Sequence, residues 1–93
     1  MSDNTSSEIL LDVSDLEPPE PLVLTLEAAE QLKPGQYVRM LHRREPCMLF
    51  GELGENFSHY QREGFTSAVE VFIWRSDDTV AGSTVRAIVG ELP

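Results

Sequence analysis

Three prolines within four positions, Pro18-Pro19-Glu20-Pro21, constrain this chain more than any other feature. Proline lacks an N–H and fixes φ, so it is excluded from a helix interior but suits the first helical turn. The stretch Leu11-Asp12-Val13-Ser14-Asp15-Leu16-Glu17-Pro18-Pro19-Glu20-Pro21 therefore reads as the end of a strand, a turn and the start of a helix. Ile9-Leu10-Leu11-Asp12-Val13 is a short apolar run suited to a buried strand. Beyond the prolines, Leu22, Leu26, Ala29 and Leu32 recur at i, i+4, i+7 and i+10 and share one helical face. Glu17 and Glu20 fall where the helix dipole favours negative charge. Lys33-Pro34-Gly35 supplies a basic last turn and two breakers.

Gln36 to His42 reads as the second strand, with Val38 and Met40 on one face and Tyr37, Arg39 and Leu41 on the other. Strand, helix and strand with short joints imply a parallel crossover. His42-Arg43-Arg44-Glu45 is a polar loop, and Pro46 restarts a helix whose apolar stripe is Leu49, Phe50 and Leu53. Gly51 weakens this helix and Gly54 ends it. Asn56 to Glu63 and Ala68 to Arg75 read as an antiparallel hairpin. In its second strand Val69, Val71 and Ile73 alternate with Glu70, Phe72 and Trp74.

The order β-α-β-α-β-β predicts an α+β fold, an α/β two-layer sandwich with two helices on one face of a four-stranded mixed sheet. Residues 1–8 read as a polar, disordered lead-in, 9–75 as the domain and 76–93 as a C-terminal extension. Within that extension, the β-prone Thr84 to Val89 suits a fifth strand, and disorder is the alternative. The uncovered sheet face would expose Tyr37, Leu41, Phe72 and Trp74. Either it is an association surface, as clustered aromatics favour, or residues 80–89 fold back over it.

Charge narrows the function classes. The chain carries 16 acidic and 7 basic side chains, a net −9, and its first 32 residues hold eight acids and no base. Nucleic acid and anionic membrane both require clustered Lys and Arg, so neither is an expected partner. One cysteine, Cys47, excludes an internal disulfide and any multi-cysteine zinc site. No apolar run is long enough to span a bilayer, and a cytoplasmic monomer or weak homodimer is the expectation. No cofactor is implied.

Candidate chemistry is sparse. Cys47 falls in the first turn of the second helix behind Arg43 and Arg44, a setting that lowers a thiol pKa; the alternative is an inert, partly buried residue. His42, Glu45, Cys47 and His59 show no recognised ligand spacing, so no metal is expected. Arg43-Arg44, with Arg39 nearby, is the basic cluster, suited to an acidic ligand or to pairing with acids at the first helix.

The stretch Leu11-Asp12-Val13 to Pro19-Glu20-Pro21 resembles the TusA/SirA family of small sulfur carriers. In that family the same strand leads to a Cys-Pro-x-Pro motif at the start of the first helix, where the thiolate accepts persulfide sulfur. Pro19 and Pro21 match the motif's prolines, but Pro18 stands at the cysteine position, and proline has no nucleophile. The chain is more similar still to an uncharacterised bacterial family related to those carriers. That family has a similar Leu-Asp-Val opening with Pro-Pro-Glu, and a later acidic–proline signature that Glu45-Pro46-Cys47-Met48-Leu49-Phe50 resembles. Some relatives have histidine where Arg44 stands. Together these features imply a non-catalytic binding or regulatory module that docks a protein or small ligand. Its expected binding residues are Pro18, Pro19, Glu20, Arg43, Arg44, Glu45 and Pro46. The alternative is a thiol-dependent sulfur-transfer or redox protein using Cys47.

Overall fold

A computed structural model describes residues 7–43, 47–64 and 68–90. Its elements are β1 (Glu8–Asp12), α1 (Glu20–Glu30), β2 (Tyr37–His42), α2 (Cys47–Leu53), β3 (Phe57–Glu63), β4 (Val69–Arg75) and α3 (Thr79–Val89). The strands form one mixed sheet in the order β1-β2-β4-β3. β1 and β2 are parallel, with Ile9 opposite Val38 and Leu11 opposite Met40. β4 is antiparallel to both β2 and β3. The β-α-β-α-β-β order and the mixed four-stranded sheet are those expected from the sequence.

The alternation along each strand decides which residues meet the first two helices. Ile9 and Leu11, Val38 and Met40, and Val69, Val71 and Ile73 join one cluster with Ala29, Leu32, Leu49 and Leu53. Leu22, Leu26 and Phe50 pack against its margin. Met40 is fully buried there, and a side chain of its size at such a site stabilises a fold by about 2–5 kcal/mol over alanine. The helical face expected of α1 is the one that packs. Pro21 and Thr25 join it, Thr25 by donating its hydroxyl to the Pro21 carbonyl at 2.7 Å. Pro19 is the N-cap and Pro21 lies in the first turn. Gly54 closes α2 at φ +73°, a left-handed conformation that side chains disfavour.

Several expectations need correction. Glu8 belongs to β1 instead of the lead-in, because the Tyr37 N–H donates to the Ser7 carbonyl at 2.9 Å and extends the ladder. β1 is an edge strand and only half buried; Leu10 is 56% exposed on the opposite face. α1 stops at Glu30 with Gln31 as C-cap, so Leu32 and Lys33 lie past its last turn, although Leu32 is still buried against the core.

The largest correction is α3. Thr84 to Val89 is helical, not a fifth strand. Asp78 accepts the Ala81 N–H at 3.0 Å and caps the helix start, while Gly90 at φ +74° ends it. Tertiary packing overrides the β-propensity of this segment, because Ala81, Gly82 and Val85 bury one stripe. That stripe covers the face assigned above to Tyr37, Phe72 and Trp74. Tyr37 and Phe72 are buried beneath Val85, with Tyr60, Trp74 and Val89 at the margin. These aromatics are thus packed in the protein's own second core, not held open as an association surface.

Candidate functional site

Because β1 and β2 are parallel, their carboxyl ends at Asp12 and His42 reach the same edge of the sheet. The loops that leave the two strands therefore start from the same edge. After β1 the path is fixed bond by bond. The Val13 N–H donates to the Leu41 carbonyl at 3.0 Å, and the Val13 side chain is fully buried. The Ser14 N–H donates to Asp12 Oδ1 at 3.0 Å. That bond, with a further one to the Ser14 side chain, holds the Asp12 carboxyl below its ordinary range. The Leu16 N–H donates to the Val13 carbonyl at 3.1 Å and the Glu20 N–H to the Glu17 carbonyl at 3.0 Å. The Pro18–Pro19 bond is cis. Pro18, Pro19 and Glu20 stand exposed at the mouth of α1.

From the end of β2, Arg43 Nη2 donates to Glu17 Oε2 at 3.1 Å. Both side chains are well exposed, so the pair contributes at most about 1 kcal/mol. Its consequence is geometric. It places Arg43 beside Glu17, the residue before the exposed Pro18, Pro19 and Glu20. Glu17 is not among the expected binding residues, but its pairing with Arg43 is the alternative that the sequence offered for the basic loop. Its acidic character beside a basic loop is the signal that points to it. Arg44, Glu45, Pro46 and the side chain of Cys47 lie outside the described residues.

Arg39 does not belong to this surface. It faces the α3 side of the sheet, where Nη2 donates to Glu70 at 2.8 Å. Arg62 Nε donates to the other Glu70 oxygen at 3.0 Å. Glu70 is fully buried. Burial alone would raise its pKa, but the two guanidiniums outweigh that effect and hold it below the ordinary value. Arg39 also lies 3.6 Å from Glu8, which accepts the Tyr37 hydroxyl at 2.8 Å. Burial, then the Glu8 carboxylate, pushes the Tyr37 hydroxyl up to about 12. The Arg62 guanidinium carbon lies 5.1 Å from the Phe72 ring centroid. This network was not foreseen. Its sequence signal is an acid at the centre of an apolar strand, with Arg62 opposite and Arg39 diagonal in the register.

His42 and His59 do not meet. His42 pairs with Val69 on one side of β4 and His59 with Ile73 on the other. Four residue rows and two strand spacings separate them, roughly 16 Å at standard sheet dimensions. Among the described residues no three His, Cys, Asp or Glu side chains group to hold a metal ion. His59 stacks on Phe50 of α2, with ring centroids 4.0 Å apart and planes at 11°.

The fold and this corner define a small α+β domain that presents a proline-stiffened polar surface at the ends of its parallel strands. The chain belongs to the family described as Uncharacterized conserved protein (DUF2249), whose model matches residues 10–75. No curated protein and no solved structure matches it. Among the described residues no helix is long and apolar enough to cross a membrane.

Proposed function

We propose that the domain is a non-catalytic recognition module, related to the TusA/SirA carriers, that docks another protein through its proline corner. The observation that supports this reading is the Glu17–Arg43 contact, which sets Arg43 next to the exposed run Glu17 to Glu20. At the position where the carriers hold their reactive thiol, the surface presents Pro18. A corner stiffened by adjacent prolines loses little entropy on docking, so its contacts convert efficiently into affinity. Arg44, Glu45 and Pro46, which follow Arg43 in the sequence, complete the proposed binding set.

The test is affinity capture with tagged full-length chain from its own host, comparing wild type with Pro18→Ala/Pro19→Ala and with Arg43→Glu. Loss of a reproducible partner from both variants, with a smaller effect on the melting temperature, is the expected outcome. An unchanged capture profile refutes it. A stable persulfide adduct on Cys47, with activity lost in Cys47→Ser, would instead assign the protein to thiol-dependent sulfur transfer.

A further inference from the structure

We propose that the outer edge of β1 takes an added strand, an extended segment of a partner protein that carries an apolar residue between two basic ones. β1 lies at one end of the sheet order and pairs with β2. The Tyr37 N–H donates to the Ser7 carbonyl at 2.9 Å and the Val13 N–H to the Leu41 carbonyl at 3.0 Å. Ser7 and Val13 thus turn main-chain groups toward β2. These groups alternate along a strand, so Ile9 and Leu11 face β2 as well, and Glu8, Leu10 and Asp12 face outward. An outward row of N–H and C=O groups is a template for pairing with another chain. Proline, lysine or a bulge ordinarily shields such an edge. β1 has none of these: its register with β2 runs unbroken from Glu8 to Asp12, and its centre is Ile9-Leu10-Leu11. α3 closes over Tyr37 and Phe72 on the neighbouring strands and leaves Leu10 more than half exposed.

The side chains along this edge define the occupant. Leu10 stands between Glu8 and Asp12 on one face of the strand, and the first 32 residues hold no base. Arg39 at 3.6 Å offsets part of the Glu8 charge. Asp12 is the stronger attractor, because hydrogen bonds from Ser14 hold its carboxyl below the ordinary range and keep it ionised at neutral pH. In an antiparallel strand centred on Leu10, the opposite residue exchanges both main-chain bonds with Leu10 and lays its side chain beside it. The residues two positions to either side then face Glu8 and Asp12, where Lys or Arg is favoured. A second copy of this chain fits poorly by the same rule. Two β1 strands related by a two-fold axis at Leu10 would set Glu8 against Asp12 twice, like charges directly opposite. The edge needs none of Pro18, Pro19 or Arg43, so it is a surface separate from the proline corner.

The probe is a fluorescent, end-capped peptide Ser-Lys-Val-Leu-Val-Lys-Ser, titrated against the full-length chain at low salt. It is compared with the same peptide N-methylated at its central Leu, which removes the N–H that would pair with Leu10, and with a version in which Glu replaces both Lys. The first peptide is expected to bind, and each change should weaken it at least about tenfold. The Leu10 and Asp12 amides should gain protection from hydrogen exchange in the complex. Leu10→Lys, which puts a like charge opposite the peptide's basic residues, should weaken binding by a similar factor. Absence of binding overturns the proposal, as does binding indifferent to N-methylation or an acidic peptide that binds as tightly. A chain that dimerises through β1 and excludes the peptide overturns it too. Should Leu10→Lys fail to fold, the N-methylated peptide decides on the wild-type chain.

Discussion

Glu70→Gln is the substitution whose effect follows most directly from the geometry. It preserves shape and one acceptor oxygen but removes the charge that joins Arg39 at 2.8 Å to Arg62 at 3.0 Å. Disrupting one partner of a buried ion pair costs about 3–5 kcal/mol. Here the arginine side chains are 28% and 23% exposed, so water hydrates part of what glutamine leaves unmatched. Glutamine also retains one hydrogen bond. The expected loss is therefore about 2–3 kcal/mol. For a small domain of this size that lowers Tm by roughly 10–20 °C. The pH dependence gives a sharper check. The folded chain holds the Glu70 carboxyl below its ordinary 4.5. The stabilisation is complete above that value and is lost as pH falls through the lowered native one. The stability gap between wild type and Glu70→Gln must therefore narrow with acidification. Urea titrations at about pH 7 and about pH 3, read by the emission of the single tryptophan, Trp74, measure it. A gap that stays constant, or a loss within about 0.5 kcal/mol at neutral pH, refutes the reasoning.

Two further titrations follow from the structure. Tyr37 is raised from 10.0 to about 12, so the folded state holds this proton more tightly than the unfolded chain. The stability that this contributes is present below pH 10 and is lost as pH rises through about 12. Tyr37→Phe should flatten that alkaline decline, followed by tyrosinate absorbance and denaturant titration; an equal decline in both proteins contradicts the assignment. His59 is shifted the other way, because partial desolvation disfavours its charged form. Its contribution to stability is present above the ordinary 6.5 and is lost as pH falls through the depressed native value. In an NMR titration assigned with His59→Gln, its midpoint should lie below 6.5, and Phe50→Ala should move it back upward. A midpoint indifferent to Phe50→Ala removes the stacked ring as the cause.

The parts of the fold with strong periodicity were legible. Leu22, Leu26 and Ala29 pack on the helical face their spacing predicted, Leu32 is buried just past the helix end, and Val69, Val71 and Ile73 face the first two helices. The prolines marked the start of α1 because proline tolerates few other places. α3 was not legible, for two physical reasons. Its Thr84-Val85 and Ile88-Val89 pairs are β-branched, and Gly82-Ser83 reads as a break. Yet Gly82 is what lets the helix approach Trp74, a requirement visible only once the sheet exists. The buried network escaped for a related reason. Arg39, Arg62 and Glu70 lie on three different strands, and only the register brings them together. At the candidate site, the neighbourhood of Arg43 and the proline corner was legible as a contrast of charge. The Glu17–Arg43 contact is the pairing of the basic loop with acids at the first helix that the sequence offered as the alternative to an acidic ligand.

How the two sheet faces are closed bears on what remains for recognition. One face is sealed by α1 and α2, and the other by α3 together with the Arg39–Glu70–Arg62 network. Neither leaves its buried residues available without moving a helix or breaking a buried ion pair. The proline corner differs in kind. It is anchored at one end by the buried Val13 and at the other by the buried Pro21. Between these anchors Asp15 and Glu17 to Glu20 face solvent. Fixed ends and an exposed middle allow the sequence of the middle to change without disturbing the core. Pro18 and Pro19 are therefore not demanded by packing. Their rigidity fixes the path from β1 into α1 and restricts the unfolded chain, so Pro18→Ala/Pro19→Ala should cost stability as well as loosen the exposed corner.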